Sequence, residues 1–122
     1  MRKILIIDDD ARNIFALKAV LRVRGFDCLS AQSAEEGIGL LEKDPAAVGI
    51  VLMDMMMPEM DGYEAIGRIR KDARLKELVL VAVTAQAMPG DREKAIGAGA
   101  DGYISKPINV DALLDLLGKY FK

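Results

Sequence analysis

The 122-residue chain contains no histidine and only one cysteine, Cys28. Without histidine, the usual zinc sites and histidine-based acid–base catalysis are excluded. A single cysteine cannot form an internal disulfide bond, and we expect Cys28 to be a small buried hydrophobic residue. Any metal site in this chain must therefore use oxygen ligands.

The sequence also lacks long apolar runs and a surplus of basic residues. Its apolar runs are far shorter than the roughly 20 residues of a membrane-spanning helix, and no charged-then-apolar leader opens the chain. Seventeen basic and 19 acidic residues leave a formal charge of −2, without the clustered basic face that nucleic-acid binding needs. We expect a cytoplasmic protein that binds no nucleic acid and does not insert into membranes. With 52% hydrophobic residues, its length suits one domain, residues 1–122, around one sizeable core.

Strand-like and helix-like segments alternate along the chain. Strands are predicted at 3–7, 26–31, 48–53, 79–83 and 102–105, and helices at 13–24, 33–44, 62–71, 88–99 and 109–121. This strict alternation, with right-handed crossovers, predicts an α/β fold in which helices cover both faces of a parallel sheet.

Short polar signals mark where the helices begin. Ser33 and Glu36 have the spacing of a capping box, and Asp61 and Asn109 are the predicted caps of the third and last helices. Pro89 is expected in the first turn of the fourth helix, where its missing N–H is not needed.

Polar residues occur where the predicted strands end. They are Asp8, Asp9 and Asp10 after the first strand, Asp54 after the third, Thr84 after the fourth and Lys106 after the fifth. Ligands bind at the carboxyl ends of the strands in such sheets, so we expect these residues to form one site. Because an apolar run precedes Asp54, its carboxylate should be partly desolvated and should need a cation or hydrogen-bond donors to stay ionised.

The residue types at this site indicate phosphoryl chemistry. Two carboxylates about 4 Å apart repel by roughly 4 kcal/mol at an effective dielectric of about 20, so Asp8, Asp9 and Asp54 would require a cation. All-oxygen ligation suits Mg²⁺ or Mn²⁺. The Lys106 ammonium and the Thr84 hydroxyl would bind phosphoryl oxygens, and the Asp54 carboxylate can act as a nucleophile that forms an acyl phosphate.

Five landmarks follow one another along the chain: the Asp8-Asp9 pair, Asp54, the Met57-Pro58-Glu59-Met60-Asp61-Gly62 segment, Val83-Thr84-Ala85, and Tyr103-Ile104-Ser105-Lys106-Pro107. In order and in register, they resemble the receiver domain of two-component response regulators. The resemblance covers the whole chain as a single receiver domain. It implies a flavodoxin-like (βα)5 fold with strand order 2-1-3-4-5 and a cis peptide bond between Lys106 and Pro107.

The resemblance also implies a role for each residue around the phosphoacceptor, Asp54. Asp9 and the Met56 backbone carbonyl would ligate Mg²⁺ together with Asp54, and Asp8 would support the metal through water. Lys106 would pair with the phosphoryl group and with Asp54. The phosphodonor would be a histidine on a partner kinase or phosphotransfer domain.

A conformational switch is implied at the other side of the site. Thr84 would move to hydrogen-bond the phosphoryl group, and Tyr103 would then swing inward. The face formed by the fourth helix, fifth strand and fifth helix would change and control the binding of a downstream protein. The chain would catalyse only its own phosphorylation and dephosphorylation. The segments 54–64 and 85–91 resemble those of stand-alone and hybrid-histidine-kinase receivers.

Two positions that influence water access depart from the best-known receivers. Position 56 is Met56 and position 86 is Gln86. With no polar side chain at position 56 to orient water, we predict slow self-dephosphorylation.

Other interpretations of these residues remain open. The aspartates after the first strand could cap a helix, Tyr103 could fill the core, and the methionines at 53–60 could serve packing and loop anchoring. An apolar strand followed by Asp8-Asp9-Asp10 also fits a haloacid-dehalogenase-like phosphatase with Asp8 as nucleophile, although Arg12 stands where a small Thr or Val is expected. A non-phosphorylated scaffold is the third alternative.

Overall fold

A parallel five-stranded sheet organises the computed structural model, which describes residues 2–85 and 88–121. The strands in this part of the chain are β1 Lys3–Ile7, β2 Cys28–Ala31, β3 Val48–Asp54, β4 Val79–Thr84 and β5 Gly102–Ser105. Their spatial order is β2-β1-β3-β4-β5, which confirms the predicted α/β flavodoxin-like fold. Gln86, the second of the two positions expected to influence water access, lies outside the described residues.

Five α-helices connect and flank these strands in the described ranges. They are α1 Ala11–Val23, α2 Ala34–Lys43, α3 Gly62–Arg70, α4 Asp91–Ala98 and α5 Val110–Tyr120. The three predicted caps are confirmed, because Ser33, Asp61 and Asn109 each accept a backbone N–H through their side chains. Asp10 caps α1 in the same way by accepting from the Arg12 N–H, so α1 begins two residues before the predicted start. A short 3₁₀ turn at Ala73–Leu75 was not predicted.

The prediction for the start of α4 was wrong. Helix α4 begins at Asp91, and Pro89 lies outside it in the preceding turn. The cap residue, Gly90, has a φ of 90°, which glycine adopts without steric penalty. The chain therefore turns sharply at Gly90 instead of continuing the helix back toward residue 88.

Strand β2 is also shorter than predicted, because it begins at Cys28 and not at Phe26. The Phe26 N–H donates to the Leu21 carbonyl at the end of α1. The Phe26 ring stacks on the Phe121 ring, with 5.9 Å between the ring centroids. Phe26, the first residue of the predicted strand, therefore completes the end of α1, whereas the Asp27 carbonyl accepts the Ile4 N–H of β1.

Apolar side chains cover both faces of the sheet, because successive residues of a strand point to opposite sides. Leu5 and Ile7 of β1 pack toward α2, α3 and α4, whereas Ile4 and Ile6 pack toward α1 and α5. Strand β3 is buried at every residue and lies between β1 and β4. Burial of each such large side chain stabilises the fold by about 1.5–3 kcal/mol. None of the helices in the described ranges has both the length and the apolar character that a membrane crossing requires.

Candidate functional site

Three carboxylates meet where β1 and β3 end. Ile7 of β1 pairs with Met53 of β3, so the residues that follow them, Asp8 and Asp54, are neighbours at the same edge. One carboxylate oxygen each from Asp8, Asp9 and Asp54 lies within 4.8 Å of the others. Asp8 and Asp54 are only 4% and 5% exposed, whereas Asp9 is open to solvent. The structure thus brings together the three predicted carboxylates and leaves one side of the group accessible.

Lys106 supplies a positive charge to this group. Its Nζ lies 3.0 Å from Asp8 Oδ2 and 3.4 Å from Asp54 Oδ2. The Lys106 backbone N–H donates to the Thr84 carbonyl at 2.7 Å, and the peptide bond to Pro107 is cis, as the resemblance implied. With one ammonium against three carboxylates, the site keeps an excess of negative charge that suits a divalent cation.

Burial changes the acid–base properties of Asp54 and Lys106. Desolvation raises the pKa of the Asp54 carboxyl, although a hydrogen bond from the Met56 N–H and the charge of Lys106 act in the opposite direction. Desolvation opposes the charge on Lys106, but its hydrogen bond to Asp8 and the charge of Asp54 raise its pKa above the usual value. The Asp54 carboxylate is therefore more basic than a solvated one, and an ammonium that stays charged at neutral pH lies beside it.

Met56 stands at the opening of the site. Its N–H donates to Asp54 Oδ1 at 3.0 Å, and its side chain is 55% exposed. The packing part of the role predicted for the methionines is therefore wrong for Met56, whose side chain is exposed in the loop after β3. It is confirmed for the buried ones, Met53, Met55, Met57 and Met60.

Thr84 and Tyr103 occupy the neighbouring strands. Thr84 is the last residue of β4 and is 5% exposed. Tyr103 lies on β5, where its ring packs against the core on the α2, α3 and α4 side. Its hydroxyl oxygen is buried and has no hydrogen-bond partner among the described residues. Burial raises the pKa of Tyr103, and the acidic side chain of Asp91 adds to the effect.

A groove of about 580 Å³ runs from Asp8 and Lys106 along α1. We call it the α1 groove; its apolar walls include Ala16, Leu17, Val20, Pro107 and Ile108. Sequence reasoning missed this feature, because its two walls come from segments that are far apart in the chain. Only the packing of α1 beside the segment after β5 brings them together.

Cys28 is only partly buried and packs against the core on the α1 and α5 side, so the prediction of a small buried hydrophobic residue is met only in part; the strand that carries it lies at the edge of the sheet. Burial still raises the pKa of its thiol.

Asp10 points away from the three carboxylates to cap α1, while its N–H donates to Asp8 Oδ1 at 2.8 Å. The third aspartate of the run therefore orients the first.

Comparisons with known proteins agree with this geometry. The family model of the response regulator receiver domain matches residues 4–118. The polar-differentiation response regulator DivK of Brucella ovis is 29% identical over 119 residues, which are 98% of this chain and 95% of that protein. Both similarities span nearly the whole chain.

Solved structures show the same architecture. The chemotaxis protein CheY4 of Vibrio cholerae superimposes with a TM-score of 0.89 at 25% identity, over 99% of each chain. The receiver domain of Ssk1 from Saccharomyces cerevisiae, crystallised with the histidine phosphotransfer protein Ypd1, gives a TM-score of 0.87 at 25% identity, over 98% of this chain and 88% of that one. Together with the family model over residues 4–118, these similarities show that the chain belongs to the CheY-like response regulator receiver domains of two-component signalling.

Proposed function

We propose that this receiver domain accepts a phosphoryl group on Asp54 and acts as a signalling switch. The observation that carries the proposal is the group of three carboxylates within 4.8 Å of one another, with the Lys106 ammonium 3.4 Å from Asp54 Oδ2. Asp54 is the member best suited to act as nucleophile, because it ends the central strand and burial raises its pKa. Asp8 is closer to Lys106 and is held by the Asp10 N–H, which suits a supporting role.

Mg²⁺ fits the donor set of this site, and Mn²⁺ has the same preference for oxygen ligands. Asp9, Asp54 and the Met56 backbone carbonyl would hold the ion, with Asp8 acting through water. The exposed position of Asp9 leaves room for the waters that Mg²⁺ retains. When bound, the ion would neutralise the carboxylates and the charge of the incoming phosphoryl group.

The phosphodonor in this proposal is a phosphohistidine of a kinase or phosphotransfer domain. An Asp54 carboxylate oxygen attacks phosphorus, the P–N bond to histidine breaks, and the imidazole leaves with the bonding electron pair. Lys106 and the Thr84 hydroxyl bind phosphoryl oxygens during the transfer. The chain thus promotes only its own phosphorylation and, later, the hydrolysis of its acyl phosphate.

The output would be carried by Thr84 and Tyr103. Hydrogen bonding of the Thr84 hydroxyl to the phosphoryl group would change the space beside β5. The Tyr103 hydroxyl, buried without a partner in the described part of the chain, would then find a new environment. The surface formed by α4, β5 and α5 would change, and with it the affinity for a downstream protein.

The α1 groove suits the phosphodonor protein. It ends at Asp8 and Lys106 and is otherwise largely apolar, so an amphipathic helix that carries a histidine can lie along it. A solved neighbour, Ssk1, was crystallised with a histidine phosphotransfer protein. This supports a histidine phosphotransfer protein or kinase as the partner.

The test is the intact mass of the protein after incubation with acetyl phosphate and Mg²⁺. We expect one phosphoryl adduct on the wild type and on the matched control Asp115→Asn, whose exposed aspartate lies outside the site. We expect no adduct on Asp54→Asn or when the metal is chelated. An adduct that persists in Asp54→Asn would contradict the proposal.

The same experiment decides between the alternatives. Membership in the receiver family gives no support to the haloacid-dehalogenase-like interpretation, which predicts phosphate release that is lost in Asp8→Asn and retained in Asp54→Asn. Absence of both adduct and phosphate release would leave the scaffold interpretation.

A further inference from the structure

A second charged site lies at the opposite end of the sheet from Asp54. It is a pocket of about 240 Å³ between the second half of α1 and the first residues of β1 and β2. We call it the cationic pocket; its lining residues are Lys3, Lys18, Arg22, Phe26, Asp27 and Cys28. Three of these six side chains are cationic, and none of them belongs to the phosphoacceptor site.

The cations of this pocket are not neutralised by the fold. Across residues 2–85 and 88–121, no ion pair or side-chain hydrogen bond joins Lys3, Lys18 or Arg22 to another residue. Lys18 and Arg22 are one helical turn apart, so their charges repel each other. Helix α1 itself contains no acidic residue. The acid in the pocket lining, Asp27, is exposed and forms no ion pair with the three cations.

We propose that the cationic pocket binds a phosphate group, either as inorganic phosphate or as a phosphate monoester. Arginine binds phosphate oxygens through two parallel N–H donors, and the lysines add point charges. Lys3 and Lys18 are half-buried, so solvent screens their charges less than it would on an open surface. The Phe26 ring forms an apolar wall. A bound dianion would remove the repulsion between Lys18 and Arg22.

The phosphate site is independent of phosphorylation at Asp54. The two sites lie at opposite ends of β1, with Lys3 at its first residue and Asp8 just after its last. A ligand that binds only the folded chain stabilises it by mass action. The pocket would therefore link the stability of α1 and β2 to phosphate without taking part in phosphoryl transfer.

The test is an NMR titration of the full chain, without Mg²⁺, with sodium phosphate against sodium chloride at equal ionic strength. We expect saturable amide shifts at Lys3, Arg22 and Cys28 that chloride does not produce. The double variant Lys18→Gln and Arg22→Gln should bind at least about tenfold more weakly, because charge-assisted hydrogen bonds are lost. The single variant Asp27→Asn should bind more tightly, because it removes the opposing charge.

A matched control separates a built pocket from general attraction of anions. The double variant Arg24→Gln and Arg68→Gln also loses two positive charges, but neither residue lines the pocket. We expect it to bind phosphate as the wild type does. Equal weakening in both double variants, or shifts that do not saturate, would overturn the proposal.

The folded state of the variants and the source of the phosphate can be checked in the same series. The Lys18→Gln and Arg22→Gln variant should unfold at the same or a higher temperature than the wild type in low salt, because it removes a repulsion. A parallel titration with adenosine monophosphate distinguishes the sources. Tighter binding than that of inorganic phosphate assigns the pocket to an ester whose organic group contacts Phe26, and weaker binding assigns it to the free ion. Failure of both ligands to bind contradicts the proposal.

Discussion

Two clusters of charged side chains lie at opposite ends of the sheet, and they differ in how far their charges are balanced by the fold. At the carboxyl ends of the strands, Asp8, Asp9 and Asp54 share the single ammonium of Lys106. At the amino ends, the Arg70 guanidinium donates four hydrogen bonds to oxygens that surround it. The first cluster has unbalanced charge that a ligand can complete. In the second cluster the Arg70 guanidinium is already paired with protein oxygens, so this cluster only stabilises the fold.

The Arg70 cluster joins several elements of the chain. Its guanidinium donates to the Gly99 carbonyl at 2.9 Å, the Leu78 carbonyl at 2.7 Å and Asp101 Oδ2 at 2.7 Å. Asp101 Oδ2 also accepts the Leu80 N–H at 2.9 Å. One side chain of α3 thus fixes the end of α4 and the starts of β4 and β5. We therefore expect mutations in the Arg70 cluster to destabilise the fold and mutations in the carboxylate cluster to change binding.

The largest expected effect is the loss of stability when Arg70 is replaced. Arg70→Met should lower the free energy of unfolding by about 2–3 kcal/mol, because it removes the guanidinium donor from three carbonyls and one of the two donors to Asp101 Oδ2. Urea unfolding monitored by circular dichroism measures this change. The control is Arg68→Met, an exposed arginine on the same helix, which should change stability by less than about 0.5 kcal/mol. Equal losses in the two variants would remove the distinction between the clusters.

Mg²⁺ should act at the incomplete cluster alone. At a concentration tenfold above its dissociation constant, it should stabilise the wild type by about 1.4 kcal/mol, measured by urea unfolding at constant ionic strength. Asp9→Asn should lose most of this gain, because one carboxylate ligand is gone. Arg70→Met should retain it in full, despite its lower stability. A gain that survives in Asp9→Asn would place the ion elsewhere.

Removal of the Asp54 charge should stabilise the protein when no metal is bound. Asp54→Asn relieves the repulsion from Asp8 and the desolvation that raises the pKa of Asp54, while the amide oxygen can still accept the Met56 N–H. We expect a gain of about 1 kcal/mol in the free energy of unfolding at neutral pH. Asp115→Asn serves as the exposed control. A variant that is less stable than the wild type in metal-free buffer would contradict this account of the site.

The pH dependence of that gain provides a finer test. Because the pKa of Asp54 is raised in the folded state, the protonated group favours folding below its unfolded pKa of about 4. This contribution is lost as the pH rises through the folded pKa. The stability difference between Asp54→Asn and wild type should therefore grow from pH 4 to pH 7 in metal-free urea titrations. A difference that shrinks over this range would mean that Lys106 outweighs desolvation.

The smallest effect is expected at Met56. Its exposed thioether cannot orient water toward an acyl phosphate on Asp54, whereas an asparagine amide can. Met56→Asn should shorten the phosphoryl half-life about threefold, equivalent to about 0.6 kcal/mol in the barrier. The decay of the phosphorylated mass measures this, with Met88→Asn, another exposed methionine, as the control. An unchanged or longer half-life would remove the predicted role of position 56.

The difference between the clusters also shows what could be predicted from this sequence. The caps at Ser33, Asp61 and Asn109 were predictable because each accepts the N–H of the residue three positions on. The carboxylate group was predictable because parallel strands end at one edge, which brings Asp8 within reach of Lys106, 98 residues away.

The remaining features depend on packing that the sequence does not encode locally. Arg70 and Asp101 are 31 residues apart, and no strand-end rule pairs them. The α1 groove and the cationic pocket each need side chains from separate elements to converge. The turn at Gly90 depends on a single positive φ angle. Pro89 before it is typical of the first turn of a helix and therefore favoured an earlier helix start.

Strand β3, buried along its whole length and flanked on both sides, has a consequence for hydrogen exchange. Its amides can exchange with deuterium only when the sheet opens, whereas β2 and β5 at the edges can fray at a lower free energy. We therefore expect the strand that carries Asp54 to be among the slowest-exchanging parts of the chain. Tyr103 lies on an edge strand that can move without unfolding β3. The proposed chemistry at Asp54 thus takes place on the central strand β3, whereas the response at Tyr103 takes place on the edge strand β5, which can rearrange.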